Sequence, residues 1–186
     1  MQKGDPKMES RSIAPHSIIP ILCILALTAV ACADRLATKD SGLLPAQLHG
    51  LEMVESHSGE EASEMIARLH KQGVAPAATE IGVYGSEEMR AELYISVFQS
   101  SDEAVAQFEA MVDAITAGVP GYGHHTHFDV AELDVHMAFG DGRINYFYAE
   151  GDRLTWLGAN PTIARVAIAE TLDVDVNLIP ELPGMQ

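Results

Sequence analysis

The sequence predicts an α+β fold, a two-layer sandwich in which an antiparallel sheet of about five strands carries its helices on one face. Three segments have the caps and apolar spacing of helices, and the segments between them alternate apolar and polar residues with a period of two. No series of strand–helix–strand units with the continuous apolar runs of parallel strands is present. The predicted order of elements is therefore α-ββ-α-βββ-α, within a single domain over residues 47–186.

The first helix is predicted to begin at Ser58, because Glu61 follows at the spacing of a capping box, and to end at Gly73. Two strands are predicted after it, in the segments TEIGVYG and RAELYISVF. Alternate residues of the second segment form an apolar face, which favours a strand with one side on a core. That face consists of Ala91, Leu93, Ile95 and Val97.

The second helix shows the same signals, because Ser100 and Glu103 again have capping-box spacing. Three strands are predicted after it, with a hairpin turn at Asp141-Gly142 between the first two. The last helix is predicted to begin at Asn160, a favourable N-cap residue, with Pro161 in the first helical position. The three strand segments are VAELDVHMAF, INYFYA and RLTWLG.

The chain is strongly acidic, with 11 Lys and Arg residues against 27 Asp and Glu residues and a formal net charge of −16. A nucleic-acid-binding surface needs dense positive charge to displace the counterions of the phosphate backbone. Nucleic acid is therefore not an expected partner. Both cysteines, Cys23 and Cys32, lie in the N-terminal segment, so we expect no disulfide and no cysteine nucleophile in the domain.

The N-terminal segment has the layout of a secretory signal peptide. Basic residues precede an apolar stretch at 18–33, and small residues crowd the end of that stretch. As a helix, the stretch would span about 24 Å, which is less than the ~30 Å hydrocarbon core of a bilayer. A signal peptide is therefore predicted over residues 1–31, with a start at either Met1 or Met8.

Two cleavage sites are compatible with the end of this stretch. Residues 29–31 fit an ordinary A-x-A signal site. The segment LTAVAC, residues 27–32, resembles the lipobox of bacterial lipoproteins. That resemblance implies cleavage before Cys32, acylation of this cysteine and anchoring in a membrane through the lipid, with residues 32–46 as lipidated cysteine and tether. Because the residue after the cysteine is Ala33 rather than Asp, the same resemblance implies a location at the outer membrane, at its periplasmic face or at the cell surface.

The segment GYGHHTHFDV, residues 121–130, carries closely spaced histidines. In an extended chain His125 and His127 point to one side, and two imidazoles on one side can chelate Zn or Cu if further ligands join them. The alternative is that these histidines lie in a solvent-exposed loop without a metal. The full set of candidate metal ligands is His124, His125, His127, Glu132 and His136.

Aromatic residues on the predicted strands form a second candidate site. If they align on the sheet face away from the helices, they make an amphipathic patch for a ligand or a protein partner. The alternative is that Tyr146, Tyr148 and Trp156 form the core beneath the helices. The residues of this candidate patch are Tyr94, Phe98, Tyr146, Tyr148 and Trp156.

No motif typical of a catalytic site is present in the sequence. None of its serines lies in a G-x-S-x-G context, and neither a G-x-G-x-x-G nor a P-loop sequence occurs. We therefore expect a non-catalytic binding or accessory domain of an exported lipoprotein at the cell envelope, with a protein or a small molecule as its partner and no cofactor. The alternative is a periplasmic metal-binding protein or metal-dependent enzyme that uses the HHTH cluster.

Overall fold

Eight strands form one antiparallel sheet in the part of the chain that the computed structural model describes, residues 42–69, 75–86 and 88–181. The strands are β1 (Gln47–Leu48), β2 (Leu51–Ser58), β3 (Ala78–Gly85), β4 (Arg90–Val97), β5 (Tyr122–Val130), β6 (Leu133–Gly140), β7 (Arg143–Glu150) and β8 (Arg153–Ala159). Across the sheet they lie in the order β1-β2-β3-β4-β8-β7-β6-β5. The strands β1 and β5 are therefore the two edges.

Three α-helices interrupt the series of strands within the described ranges. The first follows β2, the second follows β4 and the third follows β8. They are α1 (Gly59–Leu69), α2 (Ser101–Thr116) and α3 (Pro161–Thr171), and a short 3₁₀-helix follows at Val176–Leu178.

The starts of α2 and α3 have the caps that their sequences predict. The Ser100 side chain accepts a hydrogen bond from the Glu103 backbone N–H at 3.3 Å, and the Gln99 N–H donates to the Glu103 carboxylate at 3.1 Å. The Asn160 side chain accepts from the Thr162 N–H at 3.1 Å. The bonds to the Ser100 and Asn160 side chains satisfy backbone donors that the first helical turn leaves without partners.

Helices cover both faces of the sheet, and since successive residues of a strand point to opposite sides, one strand contributes to two cores. On β7, Tyr146 packs into a core beneath α3, whereas Phe147 packs into a second core beneath α2. The α3 core includes Leu93, Val135, Leu157, Ala164 and Ile168, and the α2 core includes Phe98, Ala104, Met111 and Leu154. The domain therefore has three layers.

The prediction of a sheet of about five strands with helices on one face is wrong. The sheet has eight strands in the described part of the chain, and the order of elements is ββ-α-ββ-α-ββββ-α. The single-face prediction failed because the sequence does not specify the side on which each helix packs.

The three strands that the prediction lacks are the two edge strands, β1 and β5, and β2, which lies next to β1. Most residues of β2 are exposed on both of its faces, and β5 is largely exposed too, so neither has an apolar alternation. The strand β5 also contains a bulge between Gly123 and Thr126, where His124 has a φ of 54°. A bulge shifts the two-residue period, which hides the strand from pattern analysis.

The segment just before β1 contacts the sheet. The Leu43 backbone N–H donates to the Glu80 carboxylate at 2.8 Å, and the Tyr84 hydroxyl donates to the Pro45 carbonyl at 2.9 Å. The predicted signal peptide, Cys32 and the rest of the predicted tether up to residue 41 lie outside the described residues. No helix in the described ranges has both the length and the apolar character needed to cross a membrane.

Candidate functional site

A cavity of about 330 Å³ lies between the sheet and the helices α1 and α2. Its floor consists of strands β4, β7 and β8, whose residues with period two point to this face. Its walls are mainly apolar, from Ile66 of α1 and the C-terminal half of α2. Its polar and aromatic lining includes Glu92, Tyr94, Tyr122, Asp141, Arg143, Asn145 and Trp156.

A carboxylate held by several donors forms the polar part of the cavity. Glu92 accepts hydrogen bonds from Arg143 Nη1 at 2.7 Å, from Arg90 Nε at 2.8 Å and from the Tyr94 hydroxyl at 2.9 Å. Burial alone would raise the pKa of Glu92, but these donors, Arg143 above all, outweigh burial and hold it below its usual value. The pKa of Tyr94 is raised, by burial and then by the charge of Glu92.

Trp156 has a fixed orientation on the cavity floor. Its indole N–H donates to the Asn145 side-chain oxygen at 3.2 Å, and the Asn145 amide nitrogen donates to the Gly140 carbonyl at 3.2 Å. The ring stacks on Phe147 with a centroid distance of 5.0 Å, and the Tyr122 ring meets it edge-on at 5.7 Å. An aromatic surface held in this way loses little entropy when a ligand binds.

The aromatic residues of the predicted patch divide between the two faces. Tyr94 and Trp156 line the cavity. Phe98 is buried in the α2 core, and Tyr146 and Tyr148 are buried on the opposite face beneath α3. Tyr146 and Tyr148 therefore lie in a core beneath a helix, as the alternative interpretation states. Trp156 lies on the other face, because it pairs with Phe147, and packs against the α2 core.

A cluster of histidines and one aspartate lies on the same face, where β5 pairs with β6. His127 lies directly opposite His136 in the register, and Asp134 precedes His136 by two residues on the same side. The Asp134 carboxylate is 2.9 Å from His127 Nδ1 and 3.1 Å from His136 Nε2. One ligand atom from each of the three residues lies within 4.8 Å of the others, a separation suited to a shared metal ion.

His125 lies behind His136 in this cluster. Its Nε2 is 2.8 Å from His136 Nδ1, and its Nδ1 is 3.2 Å from the Thr116 hydroxyl at the end of α2. Burial, and then the neighbouring His136 and His127, lower the pKa of His125. His136 itself is buried between Phe108, which meets it edge-on at 5.2 Å, and Phe147 at 5.4 Å.

The structure brings together three of the five predicted metal ligands, namely His125, His127 and His136. His124 lies in the bulge of β5, and Glu132 lies in the turn between β5 and β6 with a φ of 66°, outside the group of three. The prediction did not include Asp134 among the candidate ligands. The period-two pattern places it on the same side of β6 as His136, but only the pairing with β5 distinguishes it from Glu132.

Comparison of the chain with known proteins gave no match to a protein family, a curated protein or a solved structure. The chemistry of the cavity and of the histidine cluster therefore rests on their geometry.

Proposed function

We propose that this protein is a non-catalytic binding protein of the cell envelope, and that its cavity takes a small, largely apolar molecule carrying one hydrogen-bond acceptor. The observation that carries the proposal is the cavity of about 330 Å³ with aromatic residues held in place along its floor. Sites for small ligands are typically concave, mostly apolar and about 300–1,000 Å³ in volume, with a few polar groups that orient the ligand.

The polar groups of the cavity favour an acceptor on the ligand. Arg143 uses Nη1 for its ion pair with Glu92, and a guanidinium has five N–H donors in total. The Glu92 carboxylate faces Arg90 and Arg143, and Asp141 also lines the cavity, so the two positive and two negative charges around it balance. The remaining N–H groups of Arg143 would donate to a carboxylate or another acceptor on the ligand.

The apolar walls determine the rest of the ligand. Ile66, Met111 and Ile115 lie opposite the rings of Tyr94 and Trp156 across the cavity. Burying apolar surface there would contribute roughly 25 cal/mol per Å². A ring or a short hydrocarbon chain therefore suits the cavity better than a sugar or a nucleotide.

The test uses 8-anilinonaphthalene-1-sulfonate, a probe with aromatic rings and one anionic group. Trp156 is the only tryptophan in the chain, so quenching of its emission reports binding in the cavity. We expect saturable quenching by the probe in the wild-type protein. Ala114→Phe, which fills the cavity from α2, should weaken binding at least tenfold.

Ala110→Phe is the matched control, because Ala110 is one turn earlier on α2, is exposed and does not line the cavity. It should bind the probe as the wild-type protein does. Equal affinities in the two variants, or no saturable quenching in the wild-type protein, would contradict the proposal.

The proposed location at the envelope depends on the lipobox-like segment that ends at Cys32. Acylation would hold the domain at a membrane, since each buried acyl CH₂ contributes ~0.8 kcal/mol. Radiolabelled palmitate should enter the wild-type protein in bacteria and should not enter Cys32→Ser. Equal labelling of the two proteins would contradict anchoring and would leave the cavity proposal standing.

A further inference from the structure

His136 does not line the cavity, and the hydrogen bonds of its ring belong to a separate cluster of polar groups. The side chain of His136 is 8% exposed, yet its Nε2 faces the Asp134 carboxylate and its Nδ1 faces His125. His127 and Asp134, in contrast, have side chains that are 63% and 47% exposed. The cluster thus combines one buried imidazole with two groups that an ion can reach from solvent.

We propose that His127, Asp134 and His136 form a binding site for one divalent transition-metal ion of the zinc class. Two imidazoles and one carboxylate are a common three-ligand set for zinc, and three protein ligands leave a fourth position for water. Imidazole ligands favour such ions over Mg²⁺ and Ca²⁺, which prefer oxygen. The strongly acidic chain would also raise the local concentration of cations.

His125 gives the second, independent support for the site. A histidine that binds a metal through one ring nitrogen usually donates its other N–H to a partner that fixes the ring. His136 has such a partner, because its Nδ1 is 2.8 Å from His125 Nε2, and His125 is in turn 3.2 Å from the Thr116 hydroxyl. His125 is therefore a positioning residue rather than a ligand.

This chain of hydrogen bonds suits both the empty and the occupied site. Without a metal, Asp134 accepts a hydrogen bond from His136 Nε2–H, so His136 Nδ1 accepts one from His125 Nε2–H. With a metal on Nε2, the ring proton of His136 must be on Nδ1 and must donate to His125 Nε2. His125 Nδ1–H then donates to the Thr116 hydroxyl, so the His136–His125 and His125–Thr116 bonds are kept with their direction reversed, and the metal replaces the proton between His136 and Asp134.

The main experiment titrates Zn²⁺ into the metal-free full chain, prepared without a histidine tag, by isothermal calorimetry. The wild-type protein should bind one zinc ion. His127→Ala and Asp134→Asn should each weaken binding at least tenfold. These two positions are chosen because they are exposed, whereas a substitution at buried His136 would also disturb the core.

His124→Ala and Glu132→Gln are matched controls, because both residues lie in the same hairpin outside the group of three. They should bind zinc with the wild-type affinity, and circular dichroism should show that all four variants are folded. No stoichiometric binding by the wild-type protein would overturn the proposal. So would a loss in the controls as large as the loss in His127→Ala.

The role of His125 has its own readout. Nuclear magnetic resonance of ¹⁵N-labelled histidine rings distinguishes a proton on Nδ1 from a proton on Nε2. Zinc should move the His136 proton from Nε2 to Nδ1, and His125→Ala should weaken zinc binding about tenfold while keeping one ion per chain. An unchanged position of that proton at saturating zinc would overturn the assignment of His136 Nε2 as the ligand atom.

Discussion

Tyr146 and Tyr84 are both buried tyrosines, but their hydroxyls differ in environment. The Tyr84 hydroxyl donates to the Pro45 carbonyl at 2.9 Å, whereas the Tyr146 hydroxyl has no hydrogen-bond partner among the described residues. Burial, and then the charge of Glu80, raises the pKa of Tyr84 to about 12. Burial also raises the pKa of Tyr146. A buried hydroxyl without a partner carries a desolvation penalty of about 1–3 kcal/mol.

Tyr146→Phe should therefore keep or increase the free energy of unfolding, because it removes a buried polar atom that has no partner. Tyr84→Phe is the matched comparison and should lower that free energy by about 1 kcal/mol, the net contribution of one hydrogen bond. Urea denaturation followed by circular dichroism measures both. A loss in Tyr146→Phe as large as the loss in Tyr84→Phe would show that its hydroxyl is hydrogen-bonded.

Glu92 should make the stability of the domain depend on pH in the acid range. Its pKa in the folded protein is below the usual 4.5, because the donors from Arg143, Tyr94 and Arg90 outweigh burial. A depressed pKa contributes stability that is fully present above about pH 4.5 and is lost as the pH falls through the folded-state value. In Glu92→Gln this contribution is absent, so the free energy of unfolding should fall less steeply with acid.

Chemical denaturation at a series of pH values between about 6 and 3 measures that slope. Glu109→Gln, a change at an exposed position on α2, is the control and should keep the slope of the wild-type protein. If Glu92→Gln also kept that slope, the carboxylate would not be held in its charged form by these donors.

At the scale of elements, the turn between β5 and β6 has an unusual sequence for its backbone. Ala131 and Glu132 both have positive φ angles, of 50° and 66°, in a two-residue turn that joins paired Val130 and Leu133. Turns of this type favour Asn and Gly, since at positive φ the Cβ atom crowds the backbone carbonyl, and glycine has no Cβ.

Glu132→Gly should therefore raise the free energy of unfolding by roughly 0.5–1 kcal/mol, because it relieves strain in the turn. Thermal unfolding measures this effect. Glu52→Gly is the contrasting change, because Glu52 lies in strand β2, where glycine weakens a strand. A destabilisation by Glu132→Gly as large as that by Glu52→Gly would contradict a strained turn.

Local sequence signals predicted the elements whose signals are themselves local. The caps at Ser100 and Asn160 predicted the starts of two helices, because a cap depends on residues within one turn. The edge strand β5 has no such signal, since its exposed polar residues and its bulge remove the apolar alternation. Without β5, the partner of His136 across the sheet could not be identified, and Glu132 was selected in place of Asp134.

At the scale of the whole molecule, the two cores depend on the same strands. Residues of β7 alternate between them, with Tyr146 in the α3 core and Phe147 in the α2 core. If one core came apart, the strands that it shares with the other core would lose one of their two packed faces. The domain should therefore unfold in one cooperative transition, as single domains of this size usually do.

Ile168→Ala tests this cooperativity from the side opposite the cavity. Ile168 is fully buried in α3, and a change of this kind usually lowers the free energy of unfolding by about 2–5 kcal/mol. Trp156 lies on the α2 side, so its fluorescence reports the other core. We expect the fluorescence midpoint in urea to fall by as much as the circular dichroism midpoint.

Val54→Ala is the control, because Val54 is 62% exposed on β2 and its truncation should leave both midpoints nearly unchanged. Two separate transitions in Ile168→Ala, with the Trp156 signal retained after helix α3 is lost, would contradict a single cooperative unit. Coincident midpoints would mean that a ligand in the cavity stabilises the α3 core as well, because binding to the folded state shifts the one equilibrium that both cores share.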